Sequence, residues 1–277
     1  MTSNSLNTLD SKLFCAPARQ NSHGGGCLDK VSLINIANKI NKKYGKTVID
    51  TSVSDINDLW EQIDTKIDKK ICSGSELCWL NSEYLKDIDL LDYYKPLIPK
   101  GDTAWLKTSD INKVLRQFEA EYEEFTFMGS VPIDFDDVID SYARLDTCSL
   151  LKRGKTKVGF VFNMDNSKQS GSHWVSMFLD IKAGYIGFFD SVGKCPPPAR
   201  IEKLIVRIKN QVEKCTGIVL KKKCNKIRHQ YDTYNCGVYS LYFIYQCLMG
   251  KTFEQVANAP IGDEKIQLYR NFFFRPI

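Results

Sequence analysis

The sequence predicts an α+β fold, with strands clustered in the middle of the chain and helices before and after them. Three observations carry this. The first third has apolar residues at helical spacing, the middle has short runs rich in β-branched and aromatic residues, and the chain closes on capped apolar helical patterns. With 277 residues, 43% of them hydrophobic, there is material for one large domain or for a domain with an extension.

Residues 1–26 are polar and end in "SHGGG", a flexible lead-in. Asp29 then caps a helix in "KVSLINIANKINKKYG": Val31, Leu33, Ile34, Ile36, Ala37 and Ile40 fall largely on one face, and Gly45 stops it. Ser54 starts a second helix through "DINDLWEQIDTKI". A third helical segment, "SEYLKDIDLLDYY", closes before Pro96 and Pro99. "PLIPKGDT" marks the boundary between a helical N-terminal extension, 1–100, and a core, 101–277.

The core opens on an amphipathic helix, "TSDINKVLRQFEAEYEEF", capped by Thr108 or Ser109. Four β-type runs follow: "KVGFVFNM", "HWVSMFLDI", "YIGFFDS" and "TGIVLKK". "KAG" is a hairpin turn between the second and third. "PARIEKLIVRIKNQVEKC", "GVYSLYFIYQCLM", "TFEQVANAP" and "GDEKIQLYRNFFF" read as helices.

A net charge of +5 permits an acidic partner without requiring one. No window reaches the roughly 18–20 continuous apolar residues of a membrane span, so no membrane partner is expected. The N-terminus lacks the charged-then-apolar layout of a signal peptide, and an intracellular protein is the expectation. Of ten cysteines none form C-x-x-C pairs. Cys15, His23 and Cys27 would need a distant fourth ligand to hold zinc, so neither a metal nor another cofactor is expected. Without a secretion signal, most thiols are expected reduced and buried.

Cys236 stands at the start of the most apolar helix, where unpaired amides and the helix dipole favour an anion. Gly237 leaves its amide unobstructed and lets another backbone approach. A core cysteine would fit there as well; Cys247, deep in the same helix, is one. A cysteine nucleophile needs a base, and the chain offers three histidines. His23 lies in the glycine-rich lead-in, and the facing of His229 in "KIRHQYD" is open. His173 opens an apolar strand, and Asp190 ends the next, so a hairpin brings a carboxylate beside that imidazole.

This order of residues (His173–Trp174, Asp190, Gln230, then Cys236–Gly237) resembles the Ulp1/adenain-type cysteine peptidases, which include the SUMO proteases. The spacings agree with it: 17 residues from His173 to Asp190 and six from Gln230 to Cys236. "WLKTSDI", at 105–111, is similar to the start of that family's core, and the resemblance runs from there to the C-terminus. It implies a papain-like, Ulp1-type core with a mixed central sheet flanked by helices. It also implies Cys236 as nucleophile, His173 as base, Asp190 as its orienter and Gln230 as an oxyanion donor. Trp174 and Gly237 would line the substrate channel. Asn163 would present an amide to the site from the preceding strand, or serve only as a turn residue.

Within the family, the helical extension with "CLDKVSLINIANKIN", the "VPIDF" stretch and the run "FNMDNSKQSGSHWV" make the chain look most like the virion-maturation proteases of large DNA viruses of the asfarvirus and giant-virus kind. That resemblance implies cleavage after glycine, at Gly-Gly-X or Gly-X-Gly sites, in viral structural polyproteins, and a place in the virion and host cytoplasm. Two related activities remain open: removal of a ubiquitin-like modifier, and acyl transfer from a thioester. A non-enzymatic reading is a DNA-associated protein using the basic stretch "LKKKCNKIRH", where Lys221, Lys222 and Lys223 would touch nucleic acid. "HGGGC" is a linker or a self-processing site near Gly25.

Overall fold

The computed structural model describes residues 14–19, 26–67, 72, 75–79, 82, 85, 90–101 and 103–276. His23, Gly25 and most of "SEYLKDIDLL" lie outside them. The chain divides into two compact units between Ile98 and Pro99, with Phe272 onward grouped with the first.

In the first unit, α1 (Lys30–Tyr44) begins where the Asp29 carboxylate accepts from Ser32 N at 2.8 Å, and it ends at Gly45 in the left-handed region. Helix α2 (Ile56–Lys66) is capped by Asp55 rather than Ser54, because the Asp55 carboxylate takes Asn57 N at 2.8 Å. Leu33, Ile36, Ala37 and Ile40 pack with Leu59 and Ile63 into one core. A four-residue helix, α3 (Glu76–Trp79), follows. The described end of the expected third helix is a 3-10 turn, Leu91–Tyr93.

The second unit is built on a five-stranded mixed sheet in the order β1-β2-β3-β4-β5. After α4 (Thr108–Glu121) come β1 (Phe125–Pro132), three short helices α5 (Phe135–Val138), α6 (Asp140–Ala143) and α7 (Thr147–Lys152), then β2 (Lys157–Asn163), β3 (Trp174–Asp180) and β4 (Tyr185–Phe189). Helix α8 (Ala199–Thr216), β5 (Lys221–Cys224), α9 (Cys236–Leu248), α10 (Phe253–Ala257) and α11 (Asp263–Phe273), the last as far as Asn271, complete it. The central hairpin β3–β4 is antiparallel, and the flanking pairs β1–β2 and β4–β5 are parallel.

Both faces of the sheet are covered, which explains why β2, β3 and β4 read as continuous apolar runs. Phe160, Phe162, Val175, Met177, Ile186 and Phe188 form one core with the apolar face of α8. On the opposite face, α9 is buried at twelve of its thirteen positions, and Phe243 stacks on Phe189 at 4.8 Å.

Two strand expectations are corrected. The helix expected through Phe125 stops at Glu121, and Phe125 starts β1, whose parallel partner in β2 lies about thirty residues away in the chain. The run "TGIVLKK" becomes a strand only at its last two residues: 217–220 are a linker, with Ile218 and Val219 exposed, and the strand runs Lys221–Cys224, paired to β4. The thiol expectation is also corrected. Cys15–Cys27, Cys72–Cys78, Cys148–Cys215 and Cys195–Cys224 are disulfides, which leaves Cys236 and Cys247 free. Their Cα separations of 5.1–6.0 Å suit such bonds, a proximity that only the fold creates. The pairing of Cys15 with Cys27 removes both sulfur ligands from the zinc reading.

Candidate active site

Helix α9 starts at Cys236, with Asn235 as the preceding cap residue, and its apolar body holds that end in place. Cys236 is only 2% exposed. Gly237 is needed for a reason the sequence did not show. A Cβ there would lie 2.9 Å from Leu106 Cβ and 3.2 Å from its Cγ and Cδ1. Close approach of Leu106, more than an open amide, excludes a side chain.

His173 precedes β3 by one residue, and Asp190 follows β4 by one. The antiparallel register, Ser176 opposite Phe189, puts both at the same end of the hairpin. His173 Nε2 is 2.7 Å from Asp190 Oδ1. Burial disfavours charge on this imidazole. The hydrogen bonds and negative charge of Asp190 and Cys236 outweigh it, and the pKa rises from 6.5 to about 9. With Nε2 committed to Asp190, Nδ1 is the ring nitrogen left for Cys236. The fold thus brings three of the sequence-derived residues together.

Trp174 is buried and donates from Nε1 to Leu106 O at 2.9 Å, the same residue that packs on Gly237. Leu106 and Trp174 also line a cleft of about 650 Å³ with Trp105, Pro132, Val138 and Asn163. Asn163 Oδ1 accepts from Asp165 N and Ser172 N, so its carbonyl braces the β2–β3 loop while the residue lines the cleft.

Gln230 is buried in the loop before Cys236 and held at both ends. Its Oε1 accepts from Ser191 Oγ at 2.6 Å, and its Nε2 donates to Asp232 Oδ1 at 2.9 Å and to Asp232 O at 3.2 Å. Asp232 is the hub of this loop, also accepting from the amides of Tyr234 and Asn235 and from Asn235 Nδ2. Asp263 takes the amides of Tyr231 and Asp232, and buried Arg270 donates to Asn235 Oδ1 and to Ala104 O. None of Ser191, Asp232, Asp263 or Arg270 stood out in the sequence. Only "YDTYN", with aspartate poised to cap following amides, carried a local signal.

The other candidates have structural surroundings. His229 is fully buried, donates from Nε2 to Ala257 O at 3.0 Å, and packs edge-on against Phe189; burial pushes its pKa down. Cys247 is buried beside Tyr185, and burial pushes its thiol up to about 12. Lys222 pairs with Glu202, and Lys223 pairs with Glu254 and lies over the Tyr185 ring.

Comparison with known proteins agrees with this geometry. Residues 107–277 match the Ulp1 protease family, C-terminal catalytic domain. A candidate thiol protease of Acanthamoeba polyphaga mimivirus is 31% identical over 282 residues, covering 95% of this chain and 93% of that protein. The SUMO-1 cysteine protease of African swine fever virus is 28% identical over 192 residues, 64% of this chain and 70% of that protein. The crystal structure of an African swine fever virus protease has a similar fold, with a TM-score of 0.67 at 21% identity over 96% of this chain and 97% of that one. The chain belongs to the Ulp1 protease family and is a cysteine peptidase of the kind found in large DNA viruses.

Proposed function

We propose that the protein is an endopeptidase that cleaves after glycine in viral structural polyproteins during virion maturation, acting in the virion and host cytoplasm. The observation that carries the catalytic part is the cluster of His173, Asp190 and Cys236 at the head of α9. Cys236 as thiolate attacks the carbonyl carbon of the scissile bond. His173 as imidazolium protonates the leaving amine, which departs to leave a thioester. His173 then takes a proton from water, whose oxygen displaces the thiol. Asp190 keeps the imidazole oriented and favours its charge.

The amide of Cys236 and Gln230 Nε2 stabilise the oxyanion. Of the two bonds Gln230 Nε2 makes to Asp232, the 3.2 Å one to the carbonyl is the one an oxyanion replaces. Glycine preference is supported by Trp174 and Leu106, which are hydrogen-bonded to each other and line the cleft. Leu106 reaches Gly237 next to the nucleophile, where the pair would crowd a side chain on the residue before the scissile bond. Trp105, Asn163 and the cleft then receive the preceding residues. Residues 1–100 form a separate extension before the catalytic core. At the basic stretch Lys221–Lys223, pairing of Lys222 with Glu202 and of Lys223 with Glu254 competes with a nucleic-acid contact.

A second reading, removal of a ubiquitin-like modifier, is favoured by the name of the African swine fever virus relative, a SUMO-1 cysteine protease. Fluorogenic peptides with internal Gly-Gly sites, run beside C-terminal probes of SUMO and ubiquitin, separate the two. Preferential turnover of the peptides, lost in Cys236→Ala, supports polyprotein processing, and preferential turnover of the probes supports the second reading. Turnover of neither, or turnover that survives Cys236→Ala, overturns both. Mass spectrometry of new termini in virion polyproteins then reads the cleavage site.

A further inference from the structure

We infer that Asn225 is a positioning residue of the peptidase site, whose side-chain amide locks the backbone of Asp190 and so fixes the carboxylate that holds His173. The inference rests on the catalytic reading of His173, Asp190 and Cys236.

Strand β5 is too short to reach Asp190. Its last ladder pair sets Cys224 opposite Phe188, and Asn225 N donates to Phe188 O at 3.3 Å. Beyond that point the Asn225 side chain replaces the missing strand. Its Oδ1 accepts from Asp190 N at 2.9 Å, and its Nδ2 donates to Asp190 O at 2.8 Å and to Ile227 O at 3.1 Å. A carboxamide presents an acceptor and a donor as a peptide group does, so one side chain clamps both polar groups of one residue.

Asn225 and Asp190 are 2% and 3% exposed, so water does not substitute for these bonds. The consequence passes directly to the imidazole. Asp190 Oδ1 accepts from His173 Nε2 at 2.7 Å and from Val192 N at 3.0 Å, and both lengths depend on where the Asp190 backbone sits. Alanine at 225 leaves the buried Asp190 amide without Asn225 Oδ1 and its carbonyl held by Gly193 N, so the Asp190 peptide is less firmly fixed. Serine keeps a donor and an acceptor on a shorter arm.

Two measurements on the full-length protein test this in Asn225→Ala and Asn225→Ser, both normalised to folded protein by circular dichroism and size exclusion. The first is the rate at which iodoacetamide alkylates Cys236, located by mass spectrometry and followed against pH; it needs no substrate. The second is the pH profile of kcat and KM on a Gly-Gly peptide. In Asn225→Ala, kcat falls about tenfold to a hundredfold with KM held, the scale expected for slight misplacement of a catalytic group. Its alkaline limb moves from near 9 toward 6.5, and alkylation at neutral pH slows. Asn225→Ser recovers part of each, and carries the comparison alone if alanine prevents folding.

An alkaline limb and an alkylation profile unchanged from wild type in the folded variants overturn the inference. So does a loss that matches the unfolded fraction. If wild type cleaves no peptide, the proposed function fails separately, and the alkylation profiles still decide the role of Asn225.

Discussion

Gly237→Ala tests whether the packing beneath the nucleophile positions the site. The new methyl would lie 2.9 Å from Leu106 Cβ, where relaxed carbon contacts sit near 3.5–4.0 Å, so about 0.6–1 Å must be found. Neither side yields readily. Leu106 is 3% exposed, and α9 is fixed by the stacking of Phe243 on Phe189. Overpacking of this kind costs about 1–3 kcal/mol. At about 2–4 °C per kcal/mol, the melting temperature falls by roughly 2–12 °C. The displacement also travels: Leu106 O holds Trp174 Nε1 at 2.9 Å, and Trp174 is bonded to His173 in the chain. Peptidase kcat/KM should therefore fall about tenfold or more, beyond the loss of stability. Thermal melts and steady-state kinetics of Gly237→Ala, Leu106→Ala and the double variant form a cycle. Leu106→Ala alone should cost about 2–5 kcal/mol, and the methyl at 237 should refill part of that space in the double. A Gly237→Ala protein that melts and turns over like wild type refutes the argument, as does strict additivity.

Three further outcomes follow from the same geometry. Asp190→Asn keeps an oxygen for His173 Nε2 but removes the charge, so it should lower kcat/KM, though by less than Asp190→Ala. Asp190→Ala removes both and should lower it about 10²–10³-fold, with the alkaline limb moving down from near 9 in peptide-hydrolysis profiles of each. Because the folded value of His173 is raised, its contribution to stability is full below about 6.5 and disappears as pH rises through about 9. That contribution is on the order of 3 kcal/mol, and the stability gap between wild type and Asp190→Ala in urea titrations should close above that window. Cys247→Ala should retain peptidase activity and lose about 1 kcal/mol, while iodoacetamide at neutral pH should label Cys236 alone in the folded wild type, as read by peptide mapping.

The sequence was most legible where one residue type reports on its own neighbourhood. Asp29 and Gly45 bound α1 because capping is local chemistry, and Cys236 marked the head of α9 because an apolar helix must start somewhere after "YDTYN". The hairpin between His173 and Asp190 was readable from two apolar runs separated by a short turn. What escaped depends on partners far away in the chain. Strand β1 is stabilised by β2, β5 by β4, and Asn225 acts on a residue 35 positions upstream. The four disulfides escaped for a related reason. The compartment of a protein bears on its thiols only in general, whereas their pairing is decided by Cα separation, a property of the finished fold.

The same helix carries two buried free cysteines, so burial alone does not distinguish a nucleophile from a core residue. At Cys247 burial outweighs the hydrogen bond to Tyr185 and the charges of Lys157 and Lys223, and the thiol is pushed up to about 12. Cys236 is equally hidden, yet it occupies the first position of the helix and faces an imidazole whose positive charge persists to about pH 9. That charge survives burial because Asp190 is fixed on the far side of the ring. Asp190 is fixed in turn because the turn after β4 is tied to the stretch leading into α9 by Asn225 and by the bond from Ser191 to Gln230. The difference between the two thiols therefore resides less in the cysteines than in the two loops that meet around Asp190. A substitution that leaves all three catalytic side chains intact but separates those loops should convert Cys236 into a second Cys247.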